Sequence, residues 1–443
     1  MRIACLLLAA APLLAQTTDD WSKGIERRVE EIRGLKFQND VGVQRRTREE
    51  LRQRMIDTFD VDTPPAELAK ANATMQAFGL LPPGADLKDI VIRYYTNEVA
   101  AFYDPRTKEL WMIEGEQGGG GDDTVIIHEM IHAVEDQNFD LLAHDEKVKG
   151  HDDRTNALQA MCEGSATFGM FMPQWKRPGD EGGPTDYEAQ ARMISVVMGL
   201  SAKIGQTEDY PNLFSEGGIF PYLDGLHFVA AVYKERGWKG IDDAYASPPA
   251  STEQIIHPEK YLAGEAPVEV VLPDTDAVLG KRWERVEENT MGEEYVRLFL
   301  KEHLVVQPAR RLLGGTGGGL GKWIGEGAVG WFTIDPAKAA EGWGGDRYRI
   351  YRSAKTGANA LVWATTWDTP EDAEEFLEAY RGVVSKRWPG WTEERDGGDT
   401  RWSQGVMAHG ARREGKDVYI VEGVPATRAK KMLDALEDGV NYK

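Results

Sequence analysis

The chain has little cysteine, no long apolar run beyond its first residues, and a deficit of positive charge. Its two cysteines are Cys5 and Cys162. Cys5 lies inside the apolar opening stretch MRIACLLLAAAPLLAQ, so removing that stretch leaves one thiol and no intramolecular disulfide can form. Stability must then come from core size or a bound metal. After residue 16 no segment approaches the roughly twenty apolar residues that span a bilayer as a helix. Lys and Arg total 52 against 73 Asp and Glu, a net charge of -21. That balance argues against nucleic acid or an anionic membrane as partner, because both demand clustered positive charge.

What is present begins with residues 1–16, where one basic residue, about a dozen apolar ones and an alanine before a polar run have the architecture of a signal peptide. The apolar part is too short for a mature membrane helix. The expectation is an exported protein, periplasmic or extracellular, soluble once processed. Its remaining length of about 425 residues predicts two or three domains.

Residues 17–88 read as a mostly helical lead-in. Thr47-Arg48-Glu49-Glu50 has capping-box spacing for a helix through Met55, and Ala66 to Phe78 carries a second helical pattern. Residues 89–267 form the next unit. DIVIRYY, EVAAFYD and ELWMIEG read as strands, the last two joined in a hairpin at Pro105. The glycine run Gly118–Gly121 follows, with Asp122, Asp123 and Thr124 as cap candidates for a helix. Further helices are expected over Arg154 to Met172, Tyr187 to Ile204 and Leu223 to Arg236, with a Pro/Gly loop from Pro173 to Pro184. The valine-rich stretch Val268 to Pro273 marks a boundary, and residues 268–443 form an α+β domain of ββαββα-like order. It includes helix Glu293 to His303, strands at Tyr348 to Arg352 and Ala360 to Trp367, and a helix starting at Thr369-Pro370. Two strands, Val406 to Arg413 and Asp417 to Glu422, and a last helix from Ala426 to Leu436 complete it. The fold class is therefore α+β.

Within VIIHEMIHAV, residues 125–134, His128 and His132 stand four apart. On a helix they project from one face and can grip one zinc ion, while Glu129 sits beside them and can take a proton from a metal-bound water. Burying three such groups unpartnered in an apolar helix would cost several kcal/mol. A catalytic zinc site needs a third protein ligand and a vertex left for water. Glu163, 31 residues after His132 amid small and apolar neighbours in AMCEGSAT, is favoured over Asp152 and Asp153, which are expected in a polar loop. Asp136 either orients a ligand imidazole or is a solvated helix end. An oxyanion donor remains open among His257, Tyr222 and Tyr261. Cys162, adjacent to Glu163, reads as a small core residue. Gly315 to Trp323 lacks the spacing and the hydroxyl of a phosphate loop, and Trp331, Trp343, Trp363 and Trp367 read as core.

HEMIH together with Glu163 resembles the gluzincins, the thermolysin-like zinc metallopeptidases. The blocks HEMIHAVEDQNFDL, CEGSATF, FPYLDGLHFV, STEQIIHPEKY and GWGGDRY are similar to those of an uncharacterised family of exported bacterial proteins. The resemblance implies a zincin-like catalytic domain in which a strand binds extended substrate, His128, His132 and Glu163 hold Zn2+, and Glu129 is the general base. A peptide or protein is the implied substrate. Relatives in that family have Asp where Ser165 stands, so a carboxylate beside the ligands is not supplied there. Two other readings share these ligands: a secreted binding or scaffold protein with a structural zinc closed by a fourth ligand such as His257, and a hydrolase of non-peptide amides.

Overall fold

The computed structural model describes residues 18–82, 84–114, 123–175, 186–205, 210–305 and 334–443. Residues 1–16, read above as a signal peptide, the glycine run at 118–121, the stretch from 176 to 184, the 315–323 stretch and Trp331 lie outside them. The described chain mixes helix and strand, as an α+β class requires, and divides into two compact units. The first comprises residues up to Asn72 and Leu81–Ala266, the second Ala73–Leu80 and Pro267–Lys443. The helical N-terminal segment is thus shared between the two units rather than standing apart as a lead-in.

The first unit contains helices α1 (Thr18–Arg33), α2 (Arg48–Asp62), the start of α3 (Pro65–Ala77), α4 (Leu87–Glu98), α5 (Thr124–Phe139), α6 (Leu141–Val148), α7 (Asp152–Trp175) and α8 (Tyr187–Gly205). It continues with α9 (Asn212–Ser215), α10 (Phe220–Ala246), α11 (Thr252–Ile256) and α12 (Pro258–Ala263). Its small sheet, of order β1-β3-β2, joins β1 (Gly42–Arg46) parallel to β3 (Glu109–Ile113), which pairs antiparallel with β2 (Ala101–Asp104).

Local chemistry accounts for most of these elements. The capping box at Thr47 is made in full: Glu50 donates its amide to the Thr47 hydroxyl, and its carboxylate accepts from the Thr47 amide at 2.8 Å. The Pro105 hairpin forms, with Lys108 in the left-handed region at φ 59°. Three expectations need correction. DIVIRYY is helix α4, opened by Asp86, which accepts from the Lys88 amide. Buried Leu87, Ile90, Val91, Tyr94 and Tyr95 recur there at helical spacing, a period that the β-branched composition disguised. Asp123 occupies the N-cap of α5 without capping it, and instead accepts from Arg28 at 2.8 Å and Trp21 at 3.4 Å. Helix α7 runs through Pro173 to Trp175 instead of giving way to a loop there.

Helix α5 is buried from Ile126 to Asp136. Its apolar side chains pack with Ile25 and Val29 of α1, Leu110 of β3 and Ala166 and Met170 of α7. Helices α7 and α10 cross with backbone in contact: a Cβ on Gly164 would lie 2.2 Å from the Gly225 carbonyl carbon, and one on Gly225 2.0 Å from the Ala160 oxygen. Only glycine allows that approach.

The second unit is built on a seven-stranded antiparallel sheet of order β5-β6-β7-β11-β10-β9-β8. Its elements are β4 (Val270–Val271), α13 (Asp276–Leu279), β5 (Trp283–Asn289), α14 (Gly292–Leu304), α15 (Pro336–Ala340), β6 (Trp343–Ser353), β7 (Asn359–Trp367) and α16 (Pro370–Arg387). Then come β8 (Thr392–Asp396), β9 (Asp399–Gln404), β10 (Met407–Glu414), β11 (Asp417–Pro425), α17 (Ala426–Gly439) and β12 (Asn441–Tyr442). The expected ββαββα core is there, extended by β5, β8 and β9. Side chains alternate along β7: Leu361 and Trp363 enter the core under α14 and α16, Val362 and Ala364 the core under α17. Trp343, Trp363 and Trp367 are buried in the first of these cores, and Trp343 and Trp363 both donate to buried Asp346.

Two histidines, His409 buried and His303 half-buried, give this unit a pH signature. Burial, reinforced by Arg387, lowers His303 to about 4 and His409 to about 3. The unfolded chain, with histidines near pH 6.5, therefore takes up their protons first as pH falls. Their contribution is complete above about pH 6.5 and drains away toward pH 4, at about 1.4 kcal/mol per pH unit for each histidine. Urea unfolding at pH 6.5, 5.5 and 4.5 should show that slope for the wild type and a shallower one for His409→Asn. Equal slopes would contradict the assignment.

Candidate metal centre

The two helices that touch through α5 and α7 bring three sequence-predicted residues to one point. His128 Nε2 and Glu163 Oε2 lie 3.1 Å apart, His132 Nε2 and Glu163 Oε2 3.3 Å, and the two Nε2 atoms 3.1 Å. A tetrahedral zinc with bonds of about 2.0–2.1 Å spaces neighbouring donors by about 3.3–3.4 Å, so these atoms stand almost at the edges of such a polyhedron. All three residues are buried, and among the described residues no fourth His, Cys, Asp or Glu joins this cluster. Two imidazoles and one carboxylate are the donor set of a catalytic zinc site.

Glu129, fully buried on the same helix, accepts at Oε2 from the Tyr103 amide of β2 at 2.8 Å. Its Oε1 has no hydrogen-bond partner among the described residues. Burial raises its carboxyl above the usual range, against the pull of His128 and His132. For His132 burial opposes the charge, yet the Glu163 carboxylate holds it up at about 9. Burial likewise works against ionised Glu163, but the two histidines keep it well below the ordinary carboxylate value. Glu163 is thus held ionised, facing a positively charged His132.

A cavity of about 310 Å³ opens onto His132 and Glu163. Its walls include Phe102, Tyr103 and Asp104 of β2, Arg54 of α2, His144 of α6 and Cys162 of α7. Cys162 is partly buried against the α7–α10 core, with its thiol pushed well up by burial.

Other candidates take different places. Asp136 is neither a solvated helix end nor bonded to a ligand imidazole. Its carboxylate accepts from the Tyr103 hydroxyl and Lys108, both at 2.7 Å, and from the Leu141 amide at 3.2 Å, which ties α5 to the hairpin and to α6. Asp153 accepts from the amide and hydroxyl of Thr252, and Asp152 lines the cavity. Tyr222, one of the three oxyanion candidates, stacks on His128 with centroids 6.0 Å apart. Tyr261 donates its hydroxyl to the Ser247 carbonyl, and His257 lies 3.8 Å from Glu259.

Sequence reasoning passed over Glu135. It is fully buried, one turn beyond His132, and accepts from Arg33 at 2.7 Å, Ser165 at 2.5 Å and Tyr245 at 2.7 Å. Arg33 in turn pairs with Asp242 at 2.8 Å and lies 4.4 Å over the Trp238 ring. Asp136, Gln137 and Asn138 follow it directly, so no local sequence signal set it apart.

A family described as a domain of unknown function (DUF8575) matches residues 280–434. That span lies within the second unit and excludes the metal-centre residues. No curated protein and no solved structure matches the chain.

Proposed function

We propose that the chain is an exported zinc metallopeptidase whose first unit is zincin-like, with His128, His132 and Glu163 as zinc ligands and Glu129 as general base. The observation that carries this is the near-tetrahedral spacing of three buried donor atoms from two helices, beside a buried glutamate with one oxygen unpartnered. Zinc supplies Lewis acidity and a bound water of pKa about 7. Glu129, held at Oε2 by the Tyr103 amide, would serve as the general base beside such an ion, accepting a proton and passing it on to the leaving group. Strand β2 lies at the edge of its sheet and contributes to the cavity wall. An extended peptide laid along it would meet His132 and Glu163, which favours a peptide over a small amide. A cluster of three donors with no fourth among the described residues favours catalysis over a closed structural site. Export is supported by the N-terminal leader pattern, and no helix of the described chain is long and apolar enough to cross a membrane.

The test is metal analysis of the purified protein followed by digestion of a peptide library with and without chelator. About one zinc per chain and chelator-sensitive cleavage are expected. Tightly held zinc with no cleavage, and unfolding on chelation, would favour the structural-zinc alternative.

A further inference from the structure

The two ligand-bearing helices are joined by more than apolar packing. Glu135 lies on α5 with His128 and His132, and its Oε1 accepts the hydroxyl of Ser165, which lies on α7 two residues beyond Glu163. The same carboxylate is held from behind by Arg33 of α1 and Tyr245 of α10. Four helices therefore converge on one buried anion.

A buried ion pair is a costly way to stabilise a core, since well-packed apolar residues of like volume often do as well or better. What it supplies in exchange is directional geometry. Apolar contact between α5 and α7 leaves sliding and rotation only loosely specified, whereas a hydrogen bond of fixed length sets the register of one helix on the other. A zinc site tolerates little error in that register, because all three donors must stay about 2 Å from one ion.

We infer that Glu135 and Ser165 are positioning residues that fix α7 on α5, so that Glu163 meets the two histidines. Arg33 and Tyr245 hold the Glu135 carboxylate in the required orientation. The inference rests on the metal-site reading above.

The experiment compares zinc affinity, by competition with a chromophoric chelator, in wild type, Ser165→Ala and Tyr245→Phe, alongside thermal melting of the metal-stripped proteins. Each variant removes one hydrogen bond to Glu135, but only Ser165 links it to α7. Ser165→Ala is expected to weaken zinc binding about 10-fold, the lower end of the range found for groups bonded directly to metal ligands, and Tyr245→Phe by clearly less. Glu135→Gln, which keeps an acceptor of the same shape, should fall between wild type and Ser165→Ala. Variants that melt earlier yet bind zinc as tightly as wild type would overturn the inference, reducing the network to a stability element. A folded wild type that binds no zinc would instead overturn the metal-site reading itself, so the two failures are distinguishable.

Discussion

Replacing Glu129 with glutamine should leave zinc in place and reduce peptide hydrolysis by about 10²–10⁴-fold. The side chain is a near isostere, and the amide oxygen can still accept from Tyr103, so the bond that holds this residue to β2 survives. None of the three donor atoms belongs to Glu129, and the metal content should therefore match wild type. What disappears is the proton acceptor: an amide cannot take a proton from water near neutral pH. The orphan oxygen on the wild-type carboxylate, buried beside His128 and His132, is the group whose loss matters. Glu163→Gln makes a contrasting pair, since it should lower hydrolysis and zinc affinity together. The measurements are zinc per chain and kcat/KM for a cleaved peptide. A Glu129→Gln protein with full activity would remove the general base from the mechanism, and one that had also lost its zinc would place Glu129 among the ligands.

The other large effect is expected from the crossing of α7 and α10. Gly225→Ala places a methyl carbon where the Ala160 carbonyl oxygen lies 2.0 Å away, and Gly164→Ala where Gly225 backbone lies at 2.2 Å. Alanine is worth up to about 1 kcal/mol more than glycine in a helix interior. That gain is overwhelmed, because the obstacle is backbone and cannot rotate aside. The helices must part, at a cost of about 3 kcal/mol or more, and for a unit of this size melting should fall by on the order of 10 °C. Since Gly164 adjoins Glu163, parting α7 from α10 also disturbs the carboxylate, and zinc affinity should drop in step. Gly24→Ala on α1, where nothing lies within 4 Å of the added carbon, is the control and should be neutral or slightly stabilising. Equal melting temperatures for Gly225→Ala and Gly24→Ala would show that the two helices are not in backbone contact.

How much of this was legible beforehand depended on the range of the interaction. The capping box at Thr47 and the helix start at Thr369-Pro370 involve near neighbours in the chain and are formed as read. Strands β8 and β5 went unread because β8 is exposed along its whole length and β5 buries only Asn289, so neither carries the alternation of a half-buried strand. Helix α4 was misread because short runs of Ile, Val and Tyr satisfy both a strand and a buried helix face. Asp136 was assigned by proximity on its helix, while its actual partners, Tyr103 and Lys108, come from the hairpin 28 to 33 residues earlier.

The sequence by itself determined the α+β class, the helical placement of His128, Glu129 and His132, and the choice of Glu163 over Asp152 and Asp153. Helical periodicity and the cost of burying polar groups are properties of a few consecutive residues, and they need no knowledge of the rest of the chain. Tertiary structure alone decided which carboxylates meet which partners: Glu135 with Arg33 and Ser165, Asp136 with the hairpin, the Glu129 oxygen left without one. Those pairings join residues up to 102 positions apart, and they are set by how whole helices pack, which is a sum over the entire core.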